Sequence, residues 1–308
     1  MYSIKSIFKI IINNKSYILK KSSKYVAIFF SVSELFSQVI SIDIVITYFI
    51  SCIDIEDSPL NKLVVTGAFL VVIWLCGLLA AICRILKCQE IELFDTGNGH
   101  KVYVRYGDIF KLEDLKAKYK KLNVVISVNR CFDTIVDDNL ITRTTLHGQL
   151  FTKFYDNNIY EQKELTDLIK NQLSGNDYKY ETLERKNKKK GNLKRYLSGT
   201  VVEISDKNNV NYFLLALSSI DLDLHSHINN EEYSEALVKL LNYCHKRSQG
   251  YPVILPIIAA GAANFYKTEQ VLLEYIVKSI KLNLELVNCD MYIIVRNSAR
   301  ETVSITNL

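Results

Sequence analysis

The stretch Leu122-Asn123-Val124-Val125-Ile126-Ser127-Val128-Asn129 decides the fold. It is a continuous apolar run, and a run of this length reads as a strand buried on both faces. Such strands belong to sheets covered by helices, so the surrounding sequence should supply them. It does. Upstream, Glu90–Phe94 and Lys101–Tyr106 read as strands joined by a turn at Thr96–Gly99. Downstream, Thr145–Tyr155 and Glu161–Leu173 predict helices, and Thr200–Ser205 and Tyr212–Leu217 predict strands. Glu231–Arg247 predicts a helix, Pro252–Pro256 a short buried strand, Lys267–Leu284 a helix and Met291–Val295 a last strand. Strands alternating with helices predict a three-layer α/β/α domain with a mixed, mostly parallel sheet over residues 89–308.

The first 88 residues follow different rules. Leu63 to Cys83 carries no charge and is bounded by Lys62 and Arg84. As a helix it would reach about 31 Å, the thickness of a bilayer's hydrocarbon core. A second apolar segment, Tyr25 to Ile53, holds Glu34, Gln38 and Asp43. The expectation is a two-span transmembrane module over 25–88, preceded by a basic amphipathic segment over 1–24. In that segment Ile4, Ile7, Phe8, Ile11 and Ile12 match one helix face and Lys5 and Lys9 the other. Its six lysines (5, 9, 15, 20, 21 and 24) come without an acid, a composition that suits anionic headgroups or simply sets topology. With Arg84 and Lys87 after the second span and Asp54, Glu56 and Asp57 between the spans, the positive-inside rule puts both termini and the α/β domain in the cytoplasm. Ser31, Glu34, Gln38 and Ser41 recur at helical spacing and form one polar stripe, which packs on the second span or joins spans of several chains.

Composition bounds the rest. At 49% hydrophobic and 23% charged residues the 308-residue chain is not disordered. Its net charge of +5 is modest and no aromatics interleave with a basic patch, which argues against a nucleic-acid reader. None of the seven cysteines forms a C-x-x-C pair or a metal spacing, so no metal is expected and the thiols read as reduced. The basic run Lys186, Lys188, Lys189 and Lys190 reads as a solvated loop, or alternatively as a headgroup or partner contact.

Four segments carry chemistry. Tyr106-Gly107-Asp108-Ile109 closes a strand. Val124–Asn129 runs into Arg130-Cys131-Phe132-Asp133-Thr134. Thr145-Leu146-His147-Gly148-Gln149 opens a helix. Pro256-Ile257-Ile258-Ala259-Ala260-Gly261-Ala262-Ala263-Asn264-Phe265 lies between a strand and a helix. Small residues let backbone amides approach phosphate oxygens, and a carboxylate accepts from an exocyclic amine. In this order the four segments resemble a macro domain. The resemblance implies that Asp108 and Ile109 receive adenine, that Asn129, Phe132, Asp133 and Thr134 approach the distal ribose, and that Ala260, Gly261, Ala262, Ala263 and Asn264 wrap a diphosphate. Phe265 would cap a ribose face, and His147 and Gly148 would complete the ligand's surroundings. Alanines stand where that loop usually carries glycines.

The N-x-x-F-D-T and L-H-G-Q signatures are similar to those of a divergent macro branch that follows two transmembrane helices, the membrane-anchored ThsA effectors of type II Thoeris antiphage defence. That resemblance implies a multi-pass protein of the bacterial membrane with no cofactor. Its ligand would be an ADP-ribose derivative, histidine-ADP-ribose, made from NAD by a TIR-domain partner. Binding would drive homo-oligomers that compromise the bilayer and arrest the infected cell. The competing expectation is a membrane-tethered ADP-ribosyl hydrolase. Hydrolysis needs a base near the anomeric carbon, and His147 and Asp133 are the sequence's candidates. A sensor without catalytic residues is the expectation adopted.

Overall fold

The structure is a computed structural model that describes residues 3–36, 42–52, 58–261, 265 and 267–308. Gln38, Ser41, Ala262, Ala263 and Asn264 lie outside the described residues, as do Asp54, Glu56 and Asp57. The chain divides into two compact units, Met1–Cys88 and Gln89–Thr306.

The first unit is helical: α1 (Ile4–Asn13), α2 (Lys15–Phe36), α3 (Ile42–Cys52) and α4 (Pro59–Lys87). Ser3 caps α1 by accepting from the Ser6 amide, and Ser58 caps α4 by accepting from Asn61, with Pro59 at its first position. Arg84 and Lys87 occupy the last turn of α4, where cations suit the helix dipole. α2 runs unbroken through residues 24 and 25, so the expected division there is not a break in the backbone. Ile10 of α1, Ile18 of α2 and Ala81 and Ile85 of α4 form a small buried cluster. Gly77 brings α4 close to α2: a Cβ there would sit 3.2 Å from the Ser22 carbonyl oxygen.

Among the described residues only α4 is long and apolar enough to cross a membrane, with a mean hydropathy of 2.6 over its most apolar window. The expected first span, Tyr25–Ile53, includes residues 37–41 and 53, which lie outside the described residues; its described parts fall in α2 and α3, neither of which is by itself long and apolar enough to cross. Lys15, Lys20, Lys21 and Lys24 crowd the first half of α2, and the 11 residues of α3 reach only about 16 Å. Of the expected polar stripe, Ser31 donates to the Ala27 carbonyl of its own helix and Glu34 is exposed.

The second unit holds β1 (Glu90–Asp95), β2 (Lys101–Gly107), α5 (Glu113–Lys118), β3 (Leu122–Asn129), α6 (Leu146–Asp156) and α7 (Gln162–Gly175). There follow β4 (Tyr180–Thr182), β5 (Lys194–Tyr196), β6 (Val201–Ser205), β7 (Val210–Ile220) and β8 (Ser226–His227). The chain closes with α8 (Asn230–Arg247), β9 (Val253–Pro256), α9 (Glu269–Leu282) and β10 (Met291–Arg296). The main sheet runs β1-β2-β10-β9-β3-β7-β6, with β8 on β7. The five central strands are parallel, while β1, β6 and β8 pair antiparallel, so the sheet is mixed. Val124, Ile126 and Val128 of β3 pack with Leu150, Phe151 and Phe154 of α6 and Leu165, Ile169 and Leu173 of α7. On the other face Phe213 meets Tyr243 of α8 edge-on at 5.3 Å. Both faces are therefore covered, which is why β3 carries apolar residues at successive positions.

α5, β4, β5 and β8 have no counterpart in the sequence expectations. They have six, three, three and two residues, too few to show a period.

Candidate functional site

A cavity of about 950 Å³ opens at the carboxyl ends of the five parallel strands. Its origin is topological. β3 and β9 share ladder pairs at Asn123↔Val253 and Val124↔Ile254, and β9 ends at Pro256 while β3 runs on to Asn129. The chain leaves β3 toward one edge of the sheet, to β7, and leaves β9 toward the other, to β10. A crevice at such a reversal is where open α/β sheets bind ligands.

Gly107, Asp108 and Ile109 after β2, Asn129 at the end of β3 with His147 of α6, and Ala259, Ala260 and Gly261 after β9 all line the cavity. Asp108 is exposed, and its Oδ1 accepts from the Phe110 amide at 2.9 Å in a tight turn. Among the described residues its second oxygen has no protein donor, so an acceptor is free there. Asn129 uses its side-chain oxygen on the Cys131 and Asp133 amides, at 3.1 and 3.3 Å. Those two bonds fix which way the amide group points, and the Asn129 side chain also hydrogen-bonds the Asp133 carboxylate. In the loop after β9, Ala260 donates to the Ile257 carbonyl, Ala259 sits at φ +67° and Gly261 at φ +108°. A left-handed alanine is costly by about 1–2 kcal/mol and marks a backbone shape held for a reason. Phe265 packs its ring 5.1 Å from Tyr233 of α8 and is not part of the cavity lining.

The expected ribose-side residues divide. His147 reaches the cavity; Phe132, Asp133, Thr134 and Gly148 do not. Phe132 is buried at φ +48°, edge-on to Tyr196. Thr134 shares a hydroxyl hydrogen bond with Thr166 of α7 and accepts the Tyr155 hydroxyl on its carbonyl. Gly148 lets α6 start against the Thr142 carbonyl oxygen, which an added Cβ would approach to 2.2 Å. Asp133 is 1% exposed and pairs with Lys188, itself 0% exposed, at 2.5 Å. Its other oxygen accepts the Asn192 amide at 2.6 Å. Burial pushes the Asp133 carboxyl up, and Lys188 and the Asn192 amide pull against that shift.

Lys186, Lys189 and Lys190 of the basic run are exposed, as a solvated loop requires, and Lys188 alone departs from it. Lys188 turns inward, Lys190 pairs with Asp137 and Lys189 with Asp223. Gly191, at φ +82°, lies so close to Asp133 that a Cβ would reach its Oδ1 at 2.2 Å. A lysine's role inside a lysine-rich run carries no sequence signal; only its partner's position reveals it.

His147 contacts the Asp133 carbonyl oxygen through Nε2 at 3.1 Å and stands edge-on to Phe151 at 4.6 Å. Burial lowers its pKa to about 3, so the ring is neutral near pH 7. A neutral ring can hydrogen-bond to a carbonyl only as a donor, which leaves Nδ1 as an acceptor. All seven cysteines are unpaired, and among the described residues no His, Cys, Asp or Glu cluster could hold a metal.

A family model described as Thoeris protein ThsA, Macro domain, matches residues 102–296. The chain belongs to the ThsA macro-domain family. The match runs from β2 to the end of β10, and so spans every strand end that lines the cavity. Thoeris protein ThsA of Bacillus amyloliquefaciens (strain Y2) is 28% identical over 230 residues, covering 73% of this chain and 69% of that protein. Among solved structures, an Oceanobacillus iheyensis macrodomain with ADP aligns at a TM-score of 0.41 and 13% identity, covering 69% of this chain and 90% of that one. The macrodomain of Mycobacterium tuberculosis DarG aligns at 0.38 and 11%, covering 62% and 96%. Glu269 and Arg296, absent from the sequence expectations, also line the cavity of this ThsA-family domain.

Proposed function

We propose that the chain is a membrane-held sensor of antiphage defence whose α/β domain binds an ADP-ribose-type nucleotide in the strand-end cavity. The free acceptor at Asp108 takes the adenine amine. The amides of Ala259 and Gly261 and of the loop that follows take the diphosphate, and Asn129 and His147 face the distal ribose. The observation that carries this reading is one cavity holding both an unspent carboxylate oxygen and a small-residue loop after β9. The apolar segments of the first 88 residues cross the bilayer twice, with both termini and the α/β domain cytoplasmic. A TIR-domain partner supplies the signal, histidine-ADP-ribose. Bound ligand favours an assembled state, in which the stripe of Ser31, Glu34, Gln38 and Ser41 meets neighbouring copies and the membrane is breached.

Sensing is favoured over hydrolysis by the two candidate bases. Asp133 is spent on Lys188 and the Asn192 amide outside the cavity lining, and His147, whose pKa burial lowers to about 3, is a weak base even with Nδ1 open. Calorimetry on the full-length protein in nanodiscs tests the reading: ADP-ribose or histidine-ADP-ribose binds and is recovered intact. No binding of either sinks it, and turnover abolished by His147→Ala would establish the hydrolase instead. Replacing Glu34 and Gln38 by leucine should leave binding unchanged and abolish ligand-dependent liposome leakage.

A further inference from the structure

Among the described residues, one carboxylate oxygen in the cavity wall has no hydrogen-bond donor. Glu269, the first residue of α9, accepts on Oε1 from Nη2 of Arg296 at 2.5 Å. Its Oε2 is buried and, among the described residues, has no hydrogen-bond partner. A buried acceptor left unpaired is costly, more so when charged, and native structures keep few of them without a purpose. The Glu269 side chain is 16% exposed and Arg296 is 67% exposed, so the arginine steadies the carboxylate from the rim while the glutamate faces inward.

Its place in the sheet says what it would meet. Arg296 ends β10 and stands in register with Gly107, the residue before Asp108. The loop with Ala259 and Gly261 leads from β9 to α9, where Glu269 begins the helix. Glu269 is thus tied through Arg296 to the strand beside Gly107 and through the chain to the loop assigned to the diphosphate, which points to a place between the two. In a nucleotide, the group between base and diphosphate is the ribose. A lone anionic acceptor there suits a hydroxyl donor and repels a phosphate.

We infer that Glu269 is a specificity-determining residue: it accepts a hydrogen bond from a hydroxyl of the adenosine ribose and excludes nucleotides phosphorylated on that ribose. Arg296 is its positioning residue. The inference rests on the nucleotide-sensor reading above and adds to it which nucleotides are rejected.

The test uses full-length protein in nanodiscs and four probes: ADP-ribose, its 2′-deoxyadenosine and 3′-deoxyadenosine analogues, and ADP-ribose 2′-phosphate on the adenosine side. The parent protein should bind ADP-ribose at least about tenfold more tightly than one of the deoxy analogues, the loss expected for a hydrogen bond to a charged group. It should reject the 2′-phosphate. Glu269→Gln, which keeps the shape and removes the charge, should narrow the first difference and admit the 2′-phosphate. Discrimination unchanged in Glu269→Gln overturns the assignment. If that variant fails to fold by circular dichroism, the parent protein still decides, because equal affinity for all four probes overturns the assignment as well. Failure of the parent to bind ADP-ribose at all is a different result and sinks the sensor reading itself.

Discussion

Two aspartates of one cavity region do opposite work. Asp108 stands exposed at the end of β2 with one oxygen spent on its own turn. Asp133, beyond the end of β3, has both oxygens spent inside the protein, on Lys188 and the Asn192 amide. Each follows a strand, and each reads in the sequence as a ligand contact. The difference lies in what packs over them: the segment of 188–192 between β4 and β5 closes over Asp133. A carboxylate that a loop covers becomes part of the scaffold; one left at the cavity mouth stays free to recognise a ligand.

The sharpest way to break this contrast is Lys188→Ala. It leaves the Asp133 carboxylate buried and unpaired, which should destabilise the α/β unit by about 3–5 kcal/mol. Denaturant unfolding of the full-length protein measures it, and a loss under about 1 kcal/mol would return Asp133 to the list of ligand contacts. Gly148→Ala probes the same wall: a Cβ 2.2 Å from the Thr142 carbonyl oxygen should cost about 1–3 kcal/mol, read as a lowered thermal midpoint.

His147 adds a pH dependence. Its pKa falls from 6.5 to about 3 on folding, so between those values the unfolded chain binds a proton that the folded chain does not. This residue's contribution is complete above about pH 6.5, declines as pH falls toward 3 and is then flat. At pH 5 the loss relative to neutral pH is about 2 kcal/mol. His147→Gln should flatten that part of the stability profile, and a variant with the parent's slope would mean another group sets it.

Asp108→Ala should move stability least, within about 0.5 kcal/mol, while weakening ADP-ribose by about 1–3 kcal/mol in calorimetry. Unchanged affinity would remove the distinction between the two aspartates from the binding side.

The strands were legible because the physics that buries them is written along the chain. β3, β9 and β10 are short apolar runs, since each is covered on both faces, and the capping threonines Thr145 and Thr268 mark where α6 and α9 begin. The cavity's location was legible too, as motifs placed at strand ends. Its chemistry was legible only in part. Phe132, Thr134 and Gly148 sit in recognisable motifs yet serve the core, because a motif records neighbours in sequence and not which side of the backbone faces the cavity. Glu269 carries no motif at all. Its interest comes from an unpaired oxygen, which depends on the positions of every possible donor.

In the first unit the same apolar vocabulary has another outcome. β3 buries its valines and isoleucine completely, whereas α4 leaves Leu63, Val64, Val71 and Leu79 more than half exposed. The sequence by itself determined that both runs must leave water, since transfer of apolar surface depends on composition alone. It determined the alternation of strands and helices, because periodicity is local. Only the tertiary structure decided which carboxylates are spent and which are free. Hydrogen-bond partners such as Lys188 for Asp133, 55 residues apart, meet through the packing of the β4–β5 segment over the turn after β3, a long-range event no local pattern encodes.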